Sequence, residues 1–177
     1  MIITERLNII EATEADIPAI IELEEHKDNR DYLFIGTYEE HLEEISSPNY
    51  LLWVFKKKEG GAIVGYAFAQ LDFKSDKFLL RRIAISEKGL GYGKESLKAL
   101  IKYAFEEMNM NRFWLDVYPF NERGIHLYES LGMKRDGTMR QNYKDQRGYL
   151  DQMIYSLLRE EYDENKSIYQ VGESEVR

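Results

Sequence analysis

The chain has 177 residues, no cysteine and a net charge of −8, with 44% hydrophobic residues. That length suits one domain with a full core, and the missing cysteines exclude disulfides, thiolate metal sites and a Cys nucleophile. The acidic balance argues against nucleic acid, and three scattered histidines (His26, His41, His126) do not compose a metal set. With no apolar run of membrane-crossing length and no basic-then-apolar leader at Met1 to Glu5, a cytoplasmic protein is expected.

Alternation predicts a first strand at 6–11, after which Thr13 caps a helix over 14–26 that carries Ile17, Ile20, Ile21 and Glu24 at helical spacing. Thr37 with Glu40 has the form of a capping box and opens a second helix that ends near Ser46-Ser47-Pro48. The acid is concentrated here: residues 11–47 hold twelve Asp or Glu against Lys27 and Arg30, either as solvated helix faces or as a mouth that draws in a cation. Strands at 50–58 and 62–72 flank Glu59-Gly60-Gly61, and a third at 77–85 completes an antiparallel meander. Next comes a helix with Leu97, Leu100, Ile101, Ala104, Phe105 and Met108 on one stripe. Asn111-Arg112 leads to a strand at 113–118, then a helix at 121–130. Two last strands, 133–143 and 148–158, join at Asp145-Gln146-Arg147-Gly148. The domain is expected to span 1–162, followed by a polar, unpatterned tail at 163–177.

Two motifs carry chemistry. The third meander strand runs into Lys88-Gly89-Leu90-Gly91-Tyr92-Gly93, and a helix follows. Glycines alternating with Leu90 and Tyr92 let the backbone turn and come close to a ligand, and exposed N–H groups beside a helix start attract an anion. Read alone, the pattern serves as a phosphate cradle or as a plain strand-to-helix turn. The second motif is Asn121-Glu122-Arg123-Gly124-Ile125-His126-Leu127-Tyr128-Glu129-Ser130-Leu131-Gly132-Met133. The pair resembles the GNAT superfamily of acetyl-CoA-dependent N-acetyltransferases. In that family a Q/R-x-x-G-x-G/A loop ends one strand and an N-x-x-A-x-x-L-Y-x-x-x-G-F segment follows the next. Lys88 stands for Gln or Arg, Gly124 for Ala and Met133 for Phe, and each swap keeps a cation or a small or apolar side chain. The resemblance spans roughly 2–160, and the ending is close to the ribosomal-protein (RimJ/RimL) branch.

The resemblance implies an α/β fold, a three-layer sandwich with a mixed, mostly antiparallel sheet and helices on both faces. It implies acetyl-CoA as co-substrate and no metal. The pyrophosphate falls to Lys88, Gly89, Leu90, Gly91, Tyr92, Gly93 and Lys94. The pantetheine arm falls to Ile83, Ala84, Ile85 and Asn121, and a backbone N–H, that of Ile83, polarises the thioester carbonyl. Asn121 also suits a plain N-cap. Tyr128 takes the role of proton donor to the departing thiolate, since a phenol with pKa near 10 is protonated at neutral pH; its bland alternative is a core or rim tyrosine. Relatives often carry a glutamate just before Arg81-Arg82, where this chain has Leu79-Leu80, so the base is open among Asp116, Glu24, Glu25, His26 and solvent. His126 sits at a variable motif position and is read as surface. Tyr143, Asp145 and Asp151 belong to the hairpin that shapes the acceptor pocket in relatives, with Asp145 also a natural turn residue.

The activity implied is direct attack, in a ternary complex, of a primary amine on acetyl-CoA. The acceptor is a peptide N-terminus, a polyamine or another cationic small molecule, with a homodimer as one assembly. A non-catalytic CoA-binding sensor or scaffold is the alternative, which retention of Tyr128 disfavours. A nucleotide-binding protein would want a hydroxyl after the lysine, and Gly93-Lys94-Glu95 lacks it.

Overall fold

The computed structural model describes residues 1–170. Within them, eight strands form one sheet: β1 (Ile2–Ile3), β2 (Leu7–Glu11), β3 (Tyr50–Lys57), β4 (Ile63–Asp72), β5 (Lys77–Ile85), β6 (Arg112–Val117), β7 (Lys134–Asp145) and β8 (Gly148–Leu158). Their order is β1-β2-β3-β4-β5-β6-β8-β7, with every neighbouring pair antiparallel except β5 and β6. Five α-helices cover it: α1 (Ile17–Glu25), α2 (Tyr38–Ser46), α3 (Tyr92–Lys102), α4 (Glu122–Ser130) and α5 (Arg159–Glu164).

Alternation along the strands assigns the two faces. Trp53, Phe55, Ala67, Ala69, Phe78 and Leu80 pack with Leu97, Leu100, Ile101 and Phe105 on one side. Leu52, Val54, Tyr66, Phe68 and Ala84 pack with Ile20 and Leu23 on the other. This is the expected sandwich of helix, sheet and helix. The capping box at Thr37 forms, with Glu40 N–H donating to Thr37 Oγ1 at 3.2 Å and Thr37 N–H to Glu40 Oε2 at 2.8 Å. At the start of α1 the predicted helix divides. A 3-10 turn over Glu14–Asp16 precedes the α-helix, whose first turn carries Pro18.

Past Lys102 the apolar stripe winds on as a π-helical turn, Tyr103–Glu107, closed by Met108 N–H to the Tyr103 carbonyl at 3.0 Å. The tail expected from 163 onward is corrected by the structure up to residue 169. Helix α5 and a 3-10 turn at Lys166–Tyr169 continue the domain, because Tyr162 and Tyr169 are both 1% exposed. Tyr162 stacks between Phe105 and Tyr169 at 4.7 and 4.9 Å, and the Tyr169 hydroxyl donates to the Leu131 carbonyl at 2.5 Å. Residues 171–177 of that tail lie outside the described residues.

One irregularity of the sheet builds the site. Strands β5 and β6 pair only from Lys77↔Arg112 to Leu80↔Leu115, after which β5 runs on to Ile85 and β6 to Val117 without pairing each other. The fork opens beside a β-bulge. Phe68 pairs Arg82 and Ala69 pairs Leu80, so Arg81 is the extra residue on β5.

Candidate active site

The fork is the floor of a cleft of about 880 Å³, closed at one end by the glycine loop and on its sides by α4 and the α1–α2 loop. Its open strand edge follows from ladder geometry. Ser86 N–H donates to the Val64 carbonyl at 2.9 Å, so Ser86 and, two and four residues back, Ala84 and Arg82 turn their backbone groups toward β4. Ile83 and Ile85 therefore turn theirs the other way, toward the open fork. The Ile85 carbonyl accepts from Asn29 Nδ2 at 3.3 Å, which is consistent with that direction. Ile83 and Ile85 line the cleft, whereas the Ala84 side chain is buried on the opposite face of the sheet beneath α1. Ala84 can thus serve the strand only as a spacer, a correction that the two-residue period of a strand explains.

The glycine loop is held from outside by Arg6. Its guanidinium bonds Glu95 in the first turn of α3 at 2.7 Å and the Leu90 carbonyl at 2.8 Å, and lies 4.5 Å above the Tyr92 ring. Gly91 sits at φ 83° as the N-cap of α3, a left-handed conformation that side chains strain to adopt. Lys88, Gly89, Gly91, Tyr92, Gly93 and Lys94 line the cleft. Leu90 does not: its side chain is 54% exposed and points away, and only its carbonyl is held.

Lys88 Nζ donates to Asn29 Oδ1 at 2.5 Å. Its pKa is lowered, first by burial and then by the nearby Arg123 guanidinium. Two cations face one cleft end without a carboxylate in ion-pair contact among the described residues, an arrangement that an anion would relieve. Arg123 escaped the sequence reading. The available signal was a cation in the first turn of a helix, where the macrodipole disfavours it.

Asn121 caps α4 by accepting from Gly124 N–H at 3.0 Å, and it also lines the cleft, so both readings of it coexist. Tyr128 lines the cleft and is 7% exposed. The hydroxyls of buried Tyr66, Tyr155, Tyr162 and Tyr169 each reach a protein acceptor. That of Tyr128, like that of Tyr118, has none among the described residues. Burial, with the Asp116 charge adding to it, pushes the Tyr128 phenol up to about 12. Asp116 lines the same cleft, and Gln152 Nε2 donates to its Oδ1 at 2.7 Å. Burial pushes its carboxyl up, partly offset by Arg81.

The other candidate bases do not reach the cleft. Glu24 is fully buried behind β5 in a charged cluster, and Glu25 and His26 lie outside the cleft wall. In the cluster, Glu24 accepts from the Tyr66 hydroxyl at 2.5 Å, Gly36 N–H at 2.8 Å and Arg82 at 3.1 Å. His41 bridges Glu24 at 3.1 Å and Glu44 at 2.8 Å, and Arg82 also pairs with Glu44. Two acids of segment 11–47 are thereby internal, while Asp28 and Asp31 line the cleft. His126 is exposed. Tyr143, Asp145 and Asp151 are outside the cleft wall: Tyr143 leans on Tyr118 at 6.1 Å, Asp145 holds the hairpin turn, and Asp151 accepts from Gln141 N–H at 2.7 Å.

The "Acetyltransferase (GNAT) family" profile matches residues 15–133. A Bacillus subtilis (strain 168) spermine/spermidine N(1)-acetyltransferase is 30% identical over 141 residues, 75% of this chain and 91% of that protein. A Bacillus licheniformis protein, "Uncharacterized N-acetyltransferase p20", is 35% identical over 74 residues; the matched region spans 42% of either chain. Among solved structures, a chimera of the Vibrio cholerae spermidine N-acetyltransferase SpeG superposes with a TM-score of 0.79 at 17% identity, covering 89% of this chain and 98% of that one. A GNAT-family acetyltransferase from Bacillus anthracis superposes at 0.76 and 22% identity, covering 90% and 98%. With a forked β5–β6 sheet, a glycine loop at its mouth and a family match over 119 of 177 residues, this chain belongs to the GNAT acetyltransferase family.

Proposed function

We propose that the protein acetylates a primary amine of a cationic small molecule, a polyamine foremost, using acetyl-CoA. The observation that carries this reading is the fork. It leaves backbone N–H and C=O groups of Ile83 and Ile85 without a strand partner along a cleft that also holds Tyr128 and Asp116. Acetyl-CoA fits the residues present. Its phosphates suit the loop N–H groups with Lys88 and Arg123, and its amide-bearing arm suits the open edge of β5 and Asn121. When bound it supplies the acetyl group as an activated thioester.

The chain's own groups then have separate tasks. The Ile83 N–H is aimed to stabilise negative charge on the thioester oxygen as it forms. Asp116, its carboxyl raised by burial, takes a proton from the bound ammonium directly or through one water, which frees the neutral amine to attack. Tyr128, held protonated by the same burial, gives its proton to the sulfur as the C–S bond breaks and the C–N bond forms. The acceptor class is supported by Asp31 and Asp116 on the cleft wall and by the polyamine-acting relative that aligns over 75% of the chain.

A panel of amines with acetyl-CoA, followed by thiol release, tests the reading. Polyamines should lead, monoamines should trail, and the rate should fall with salt, because exposed charges more than about 10 Å apart are screened at 0.1 M. No release with any amine, or preference for an anionic acceptor, would refute it.

A further inference from the structure

Beside the cleft, at its Asp31–Phe120 edge, the protein satisfies a cation of its own. The Arg147 guanidinium, from the β7–β8 turn, reaches across to the α1–α2 loop. It donates to the Asp31 carbonyl at 2.8 Å and to the Asp145 carboxylate at 2.6 and 3.0 Å, with a longer contact of 3.3 Å. Its carbon lies 5.6 Å from the centre of the Tyr118 ring and 5.3 Å from that of Phe120, and these two rings stack at 5.2 Å. Tyr32 adds a third ring 6.0 Å from Phe120. A carboxylate, a carbonyl oxygen and aromatic faces compose a cage of the kind that takes alkylammonium ions. The cage shares walls with the cleft, since Asp31, Tyr32 and Phe120 line both. Arg147 itself is an exposed turn residue, tethered by hydrogen bonds rather than packed in a core.

We propose that this cage is the subsite for the distal, non-reacting ammonium of a polycationic acceptor, and that Arg147 is its resident stand-in, displaced when such an acceptor binds. The idea rests on the amine-acetylation reading. It makes Arg147 a specificity-determining residue: an acceptor with a second positive charge exchanges for the guanidinium, whereas a monoamine cannot use the cage. The α1–α2 loop and the hairpin are bridged in either state, first by arginine and then by the substrate.

Replacing Arg147 with Gln vacates the cage while keeping a long polar side chain. Calorimetric titration with tetramethylammonium, which cannot be acetylated, reads the cage directly. Binding should be at least about fivefold tighter to Arg147→Gln than to the original protein, the scale of a partly desolvated cation–π contact. It should be lost again when Phe120→Leu is added. In turnover, the preference in kcat/KM for 1,4-diaminobutane over butylamine should rise in Arg147→Gln. Unchanged or weaker tetramethylammonium binding in a variant that melts as the original does would overturn the proposal and make Arg147 a fixed strap. If the original protein acetylates no amine, the function reading fails separately, and the titration still decides the cage.

Discussion

His41 is expected to be a cation inside the protein at neutral pH, and its loss has a calculable signature. Each ring nitrogen faces a carboxylate, Nδ1 at 2.8 Å from Glu44 and Nε2 at 3.1 Å from Glu24, and only an imidazolium donates to both. With His41 charged, the two carboxylates are balanced by His41 and Arg82; without it, one negative charge is left buried. Burial alone would lower its pKa, but hydrogen bonds and charge from Glu24 and Glu44 outweigh that and push it up to about 9, against 6.5 in an unfolded chain. The difference corresponds to about 3 kcal/mol of stability. Because the folded value is the higher one, this stabilisation is complete below about pH 6.5 and is lost as pH rises through about 9. Urea unfolding at pH 6, 7.5 and 9.5 measures it. The original protein should lose about 3 kcal/mol across that range. His41→Gln should start lower at pH 6 by about 3–5 kcal/mol, the usual effect of removing one member of a buried ion cluster. Its deficit should shrink as pH rises. Parallel pH curves for the two proteins would refute the reasoning. The cluster matters to the site because it anchors α1 and α2 to β4 and β5 through Arg82, which also lines the cleft.

Three further outcomes follow from the site. Tyr128→Phe should lower kcat at least about tenfold while leaving KM for acetyl-CoA nearly unchanged, since the hydroxyl acts only as the bond breaks; steady-state rates decide it. Asp116→Asn should remove the acidic limb of the pH–rate profile, a limb that in the original protein lies above the ordinary carboxylate range because burial raises that group. Gly93→Ala should fold normally, since a Cβ there meets Ile85 and Leu127 at ordinary distances of 3.7 and 3.8 Å, yet calorimetry should find acetyl-CoA binding weakened because both neighbours line the cleft.

The parts legible in the sequence were those written in short periods. Alternation and turn residues gave seven of the eight strands, Thr37 with Glu40 announced α2, and the two motifs located the cleft. The two-residue β1 is too short to show a period. The features that escaped depend on partners far apart in the chain. Arg6 clamps a loop more than eighty residues away, Arg82 meets Glu24 and Glu44 across the sheet, and Arg147 crosses to Asp31. Glu24 kept helical spacing with Ile17 and Ile20, so its burial was visible in the pattern; that it is consumed by His41, Tyr66 and Arg82, and so unfit as a base, was not. The tail misled because Ile168 and Tyr169 are the only apolar residues of 163–170, too few to compose a stripe.

The central claim is that acetyl-CoA lies against the unpaired edge of β5 at Ile83 and Ile85. Amide hydrogen exchange of those two residues, with and without coenzyme A, tests it most directly. Their N–H groups have no strand partner in the fork and should exchange fast in the free protein, then become protected at saturating coenzyme A, while Ala84, already paired with β4, changes little. Exchange at Ile83 and Ile85 that is indifferent to coenzyme A would contradict the account.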